Sequence, residues 1–377
     1  MVQFGIDVLL DEKPTTARIG LVTNDAAKTT SGIPSRRALL DFRFNLVRLF
    51  SPEHGIGASA ADGAPVGDGI DPLTRLPIVS LYGKKIRPTR VSLVDLDLIL
   101  FDIPDIGARF YTYIWTLSHV LEACADARMP LCVLDRPNPL GGNLADAEGP
   151  ILDENFVSTF VGRWAMPIRY SLTIGELATL WNRERKIGAD LRVIAMQGWR
   201  RDMHWPDTAL TPPAIRDYQT ALLYPGTCVL EGTNLSEGRG TKVPFRAIGA
   251  PWLDSESLAN DLNKFEPAIR ATEISFVPTA RKFERQACRG VLIEVINPKS
   301  LRPVRLGLHL IATVIRMHPK EFSFEPYPTA ANETGGGHFD RLVGIPIRAE
   351  LESGKFELES WTSAGDWVQI AGRNLLY

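Results

Sequence analysis

The first half of the chain alternates continuous apolar runs with segments of helical spacing. Arg18 to Thr23, Leu46 to Phe50, Leu96 to Phe101, Leu131 to Leu134 and Leu191 to Met196 read as strands. Pro34 to Phe42, Tyr111 to Arg128 and Thr173 to Asn182 read as helices. In Tyr111 to Arg128, the residues Ile114, Leu117, Val120, Leu121 and Cys124 recur at the spacing that shares one helical face. Thr173, with Glu176 three positions on, forms the capping-box pattern of a helix start. Unbroken apolar strands alternating with helices predict an α/β fold: a parallel, Rossmann-like sheet covered on both faces.

The rhythm breaks from Trp199 to Tyr224, a crossing segment that contains Pro206, Pro212 and Pro213. Beyond it, strand signals fall at Cys228 to Glu231, Glu273 to Val277 and Val291 to Ile296. Helix signals fall at Ser255 to Phe265 and Leu306 to Arg316, and Glu333 to His338 reads as a glycine-rich loop. A chain of 377 residues exceeds one ordinary core. The expected division is a Rossmann-like catalytic domain over residues 1–215 and a smaller α+β domain over residues 216–377 that completes a cleft.

Two short stretches put acids and glycines after apolar runs that read as strands, at the edge where open α/β sheets bind ligands. The first is Ser51-Pro52-Glu53-His54-Gly55-Ile56-Gly57. Glu53 could protonate a leaving oxygen, and His54 could hold a substrate hydroxyl or tune the acid. The second is Glu231-Gly232-Thr233-Asn234-Leu235-Ser236-Glu237-Gly238-Arg239-Gly240-Thr241. Its density of Glu231, Asn234, Glu237 and Arg239 suits a loop folded around a ligand, with glycines that let backbone come close. The opposing reading is that both acids pair with Arg239 and Lys242 at the surface. Between these stretches, Asp102, Asp105, Arg109, Tyr111 and Tyr113 surround a strand-to-helix junction. They read either as a polar pocket or as a helix cap with an Asp–Arg pair. Asp135, Arg136 and Asn138 lie in a proline-stiffened loop after the next strand and read either as crevice residues or as a rigid connector.

Composition narrows the chemistry. A net charge of −2 offers nothing to attract nucleic acid or an anionic membrane, and no run approaches a membrane span. Met1 to Asp7 shows no basic start followed by an apolar stretch, so a cytoplasmic location is expected. Cys124, Cys132, Cys228 and Cys288 form no CxxC pair and read as reduced, packed thiols. His204, His309, His318 and His338 lack metal-ligand spacing. No glycine-rich nucleotide fingerprint is present, and neither Ser51 nor Ser236 sits in a nucleophile elbow. No metal or cofactor is expected. The partner is expected to be a small, polar, sugar-like molecule, and the oligomeric state is left open.

These strings resemble the NamZ family of bacterial exo-β-N-acetylmuramidases. The resemblance rests on Ser51-Pro52-Glu53-His54-Gly55, Ser80-Leu81-Tyr82-Gly83 and Gly107 to Tyr113. It continues through Leu134 to Pro139, Thr173 to Leu177, Glu231 to Thr241, Gly249 to Trp252 and Asn374 to Tyr377, in family order. It implies a hydrolase that removes β-1,4-linked N-acetylmuramic acid from non-reducing ends of peptidoglycan fragments. It also implies a Rossmann-like catalytic domain with Glu53 as catalytic residue. Competing readings are a glycosidase with another amino-sugar preference and a non-catalytic muropeptide binder. Two departures concern substrate contacts. Pro104 stands where family members often carry glutamine, and Leu210 to Ala214 replaces a usual Pro-Ser-Pro-Asn-Met-Pro string. The second carboxylate is left between Glu231 and Glu237, and retention or inversion depends on a separation in space.

Overall fold

The computed structural model describes residues 1–61, 63–155, 160–206, 214–329 and 332–377. Seven strands form the main sheet: β1 (Ile19–Thr23), β2 (Leu46–Ser51), β3 (Gly69–Ile70), β4 (Pro77–Ser80), β5 (Leu98–Asp102), β6 (Leu131–Leu134) and β7 (Leu191–Ile194). Their order is β3-β4-β2-β1-β5-β6-β7, and every pairing is parallel except β3 with β4. Without the short edge strand β3, this is the doubly wound arrangement. The chain builds outward from β1 through β2 and β4, then returns to build β5, β6 and β7 on the other side. β1 is buried along its whole length, as is β6, which is why both read as unbroken apolar runs.

The helix Tyr113–Ala127 follows β5 and packs against the helix Ile174–Glu184, which begins at the expected capping box. In that box the Glu176 N–H donates to Thr173 Oγ1 at 3.3 Å and the Thr173 N–H donates to Glu176 at 2.9 Å. The second unit is an antiparallel sheet of β8 (Ala247–Ala250), β9 (Ile269–Phe276) and β10 (Cys288–Val295) in the order β8-β10-β9. The helix Ser255–Phe265 packs on it, and the helix Pro303–Met317 packs on that helix. The last residues return to the first unit. Trp367 Nε1 donates to the Tyr170 carbonyl at 2.8 Å, and the Tyr377 hydroxyl donates to Asp135 at 2.6 Å.

The sequence reading fails between Tyr218 and Glu231. Cys228 to Glu231 is not a strand but part of a tight helical turn, Cys228–Gly232, that follows the helix Tyr218–Thr227. Asp217 caps that helix by accepting the Thr220 N–H at 2.7 Å, so the crossing segment also ends earlier than expected. Pro212 and Pro213 lie outside the described residues. The misreading has a physical cause. Gly226 meets Pro303 and Gly307 backbone to backbone, so this helix is buried from Thr220 onward and shows no polar face. A helix without a polar face loses the period that identifies it. All four cysteines are buried and unbonded to one another. Among the described residues no helix is long and apolar enough to cross a membrane.

Asp102 and Arg136 hold two neighbouring strand ends together in the interior. Asp102 Oδ1 accepts from Arg136 Nε at 2.5 Å and Oδ2 from Nη2 at 2.9 Å, with both side chains buried. Arg136 also donates to Ser35 Oγ. Asp102→Ala leaves a buried cation without its partner, and the expected loss is about 3–5 kcal/mol. Denaturant unfolding checks this against Asp41→Ala, which removes the exposed Arg37–Asp41 pair and should cost less than ~1 kcal/mol. Equal small losses would contradict the assignment.

Candidate active site

A cleft opens where the first unit meets the second, lined by residues of both. On the first wall, β2 runs into Pro52 and delivers Glu53 to the carboxyl edge of the sheet. Glu53 is buried, and each of its oxygens accepts one neutral donor. Oε1 takes the Gly63 N–H at 3.0 Å, and Oε2 takes the Thr112 hydroxyl at 2.6 Å. Thr112 occupies the N-cap position of the helix Tyr113–Ala127 but makes no side-chain cap bond. Its hydroxyl goes to Glu53 instead. His54 turns back at φ 68°, a left-handed conformation that costs a non-glycine residue strain and recurs at functional turns. Its Nδ1 lies 2.8 Å from the Ala60 carbonyl. A carbonyl only accepts, so Nδ1 carries the proton and Nε2 of the neutral ring is the acceptor.

The second wall is built from the turn Cys228–Gly232 and the helix His338–Val343. Glu231 Oε1 accepts from Arg239 at 2.6 Å, and Oε2 lies 3.3 Å from His338 Nε2. Burial raises the Glu231 carboxyl, but Arg239 and His338 outweigh it and hold the group well below the usual carboxylate range. His338 stacks on Tyr327 with ring centroids 4.8 Å apart. Between the walls lies an aromatic floor. Tyr224 meets Phe110, Tyr111 and Phe245 edge to face at centroid distances of 5.4, 6.4 and 4.8 Å. An apolar cleft with a few convergent polar groups is the usual form of a small-molecule site. Among the described residues no three histidine, cysteine, aspartate or glutamate side chains gather as a metal would require.

Of the residues singled out from sequence, Glu53, His54, Tyr111, Glu231 and Arg239 line this cleft. The others do not. Tyr113 lies behind the wall against Tyr111 and Asn24, its hydroxyl pushed up by burial and by the charge of Glu53. Glu237 is buried beneath the loop, 3.4 Å from Arg239 and 3.5 Å from Lys282. Asn234 is pinned to backbone at both ends, donating to Glu321 O at 2.7 Å and accepting the Ser323 N–H at 3.1 Å. Asp102 and Arg136 satisfy each other. Asp135 is buried under Thr173, Gly175 and Tyr377, and that burial pushes it up to about 6. Asn138 donates to Leu172 O and accepts the Leu140 N–H. Asp105 accepts from Tyr170 and the Gly107 N–H and is also pushed up to about 6 by burial. With Arg136 it borders a separate hollow beside Phe4, Lys28, Pro104 and Trp205. Arg109 reaches only backbone carbonyls.

The glycines of the 231–241 loop also serve packing rather than ligand approach. A Cβ on Gly232 would lie 2.5 Å from the Phe339 backbone, and one on Gly240 2.5 Å from Ala280 N. Lys282 ties the loop down, donating to the carbonyls of Leu230, Glu231 and Leu235. Sequence reasoning missed Thr112, Tyr224, Lys282, Tyr327 and His338 as builders of the site. Only His338 carried a visible signal, the glycine run before it.

Comparison with known proteins agrees with the strings noted in the sequence. A family model of the exo-β-N-acetylmuramidase NamZ N-terminal domain matches residues 19–217, and its C-terminal counterpart matches residues 222–362. The chain is 41% identical over 363 residues to the peptidoglycan β-N-acetylmuramidase NamZ of Bacillus subtilis (strain 168), covering 94% of this chain and 85% of that protein. Two crystal structures of DUF1343 family proteins from Bacteroides fragilis are similar over 100% of this chain and 99% of theirs. One is 28% identical with a TM-score of 0.87, the other 26% identical with a TM-score of 0.76.

The bracket around Glu231 has a measurable consequence. Arg239→Gln removes its strongest cation and leaves burial opposed by His338 alone. The Glu231 carboxyl then rises and is protonated at higher pH, so the acidic limb of kcat/KM should move up by about 1–3 pH units. A pH–rate profile measured on the candidate glycoside substrates checks this, and an acidic limb that stays in place would refute it.

Proposed function

The chain belongs to the exo-β-N-acetylmuramidase NamZ family, and we propose that it hydrolyses terminal β-1,4-linked N-acetylmuramic acid from the non-reducing ends of peptidoglycan fragments. The observation that carries this reading is the pair of carboxylates, Glu53 and Glu231, on facing walls of one aromatic-floored cleft. Glycoside hydrolysis needs one group to protonate the leaving oxygen and another to stabilise cationic charge or activate water. Glu231, bracketed by Arg239 and His338, stays ionised and suits the second task. Proton transfer to the glycosidic oxygen then falls to Glu53, which among the described residues has only neutral hydrogen-bond partners. His54 Nε2 offers an acceptor for a sugar hydroxyl on the same wall.

N-Acetylmuramic acid differs from N-acetylglucosamine by a lactyl ether bearing a carboxylate. Of the three arginines singled out from sequence, Arg109 and Arg136 are committed elsewhere, and Arg239 lines the cleft. It brings a planar guanidinium, the group suited to carboxylate recognition, to the cleft lining beside Glu231. The substrate preference is therefore assigned to Arg239.

Glu53→Gln should keep the shape of the cleft and lower turnover by about 10²–10⁴-fold. Release of nitrophenol from the chromogenic β-glycoside of N-acetylmuramic acid measures this, with near-normal turnover counting against the assignment. Run in parallel, the N-acetylglucosamine glycoside should be the poorer substrate for the wild-type protein. Equal rates on both sugars would instead favour a broader amino-sugar specificity.

A further inference from the structure

Among the described residues Arg109 is the most deeply buried arginine, and the proposed chemistry does not use it. Its side chain is fully buried, and among the described residues it makes no ion pair. Its guanidinium donates to four carbonyls instead. Nη1 reaches Pro150 O at 3.2 Å and Met166 O at 3.1 Å, and Nη2 reaches Leu342 O at 2.5 Å and Val343 O at 2.8 Å. A desolvated charge with no counter-charge is costly, and burial pulls this guanidinium down to about 9. An apolar side chain of similar size would fill the space without that cost. What it would lose is a rigid fork able to grip four oxygens at fixed angles.

The ends of that grip are the two walls of the cleft. On one side Arg109 is followed by Phe110, Tyr111 and Thr112, and Thr112 donates to Glu53. The segment is anchored at Arg109 itself, whose N–H donates to Ile168 O at 2.8 Å and whose carbonyl accepts from Trp115 Nε1 at 2.7 Å. On the other side Leu342 and Val343 are the last residues of the helix His338–Val343, and the first residue of that helix is the histidine that faces Glu231. Carbonyls at a helix C-terminus carry partial negative charge, so a cation is well placed there. Gly344 ends the helix at φ 97°, and a Cβ on it would lie 2.7 Å from Arg109 Nη2. The helix end is shaped to admit the guanidinium.

We propose that Arg109 is a positioning residue that sets the alignment of the Glu53 wall against the Glu231–His338 wall, acting through the helix His338–Val343. This rests on the reading of Glu53 and Glu231 as the working carboxylates. Arg109 touches no substrate. If its grip loosens, the helix is free to shift and His338 withdraws from Glu231.

Arg109→Lys tests this, because it keeps a cation but loses the fork. In the folded variant kcat should fall by roughly 10- to 100-fold with KM nearly unchanged, as expected for a misalignment on the order of 1 Å. The acidic limb of the pH–rate profile should move up as His338 stops supporting Glu231. The double variant Arg109→Lys/His338→Ala should be little worse than His338→Ala alone. A purely structural role would lower the melting temperature while leaving kcat and the acidic limb in place, and that result overturns the proposal. So would full additivity of the two substitutions. If Arg109→Lys does not fold, Gly344→Ala gives the same readout by pressing on the guanidinium from the helix side without removing its charge. Wild-type hydrolysis and its loss in Glu231→Gln are measured first. Their failure strikes the reading of the site, whereas an active enzyme whose Arg109→Lys form keeps wild-type kcat strikes only the positioning role.

Discussion

The two cleft carboxylates come from different parts of the fold, so their chemistry depends on the seam that joins those parts. Glu53 hangs from the edge of a parallel sheet, while Glu231 sits on a helical turn behind a separate antiparallel sheet. Nothing in either sheet alone fixes the distance between them. The seam that does is built from buried charged side chains bonded to backbone. Arg109 grips the end of one helix. Glu148 accepts the Val304 and Arg305 N–H groups at the start of another, at 3.3 and 2.7 Å. Burial pushes the Glu148 carboxyl up to about 7. Backbone contacts of this kind tolerate little sliding, because a displaced carbonyl or N–H finds no water to replace its lost partner.

Much of the first unit was legible in sequence because its strands are buried on both faces. β1, β5 and β6 appear as apolar runs, and the ends of β2 and β5 coincide with the polar strings that follow them. The same logic failed at Cys228 to Glu231. There a helix packed backbone to backbone against its neighbour at Gly226 and Gly307 is buried on every side. Its apolar run could not be told from a strand, and the acid placed at a strand end in fact stands on a helical turn. Glu231 still reached the cleft, for a reason the pattern did not contain.

The site was harder to read than the fold. Residue type and position at a sheet edge indicated a group of acids and arginines but not the direction in which each loop turns. Asp102 ends β5, and Asp135, Arg136 and Asn138 follow β6, at the same edge as Glu53, yet they face inward and are satisfied by one another, by neighbouring hydroxyls or by backbone. Asn234 sits three residues from Glu231 but closes on the chain at 321–323. The converse also holds: Thr112 and Lys282 shape the site through contacts 59 and 51 residues away in sequence, to Glu53 and the Glu231 carbonyl respectively. No local pattern marks a residue whose role is set by so distant a partner.

The surroundings of the two acids divide the labour between them. Glu231 is the more constrained, with an arginine at one oxygen, a histidine at the other and a desolvated setting that strengthens both interactions. A carboxylate so held is a poor proton donor but a good fixed negative charge for a developing cation. Glu53 has one backbone N–H and one hydroxyl as partners, both neutral, and no cation hydrogen-bonded to it among the described residues. Pairs of acids placed in such unlike surroundings are how a single cleft supplies both an acid and a charge. The placement of Arg239 then serves twice. It keeps Glu231 ionised, and in the proposed function it is also the residue assigned to the carboxylate of the sugar, so both roles would depend on the same guanidinium.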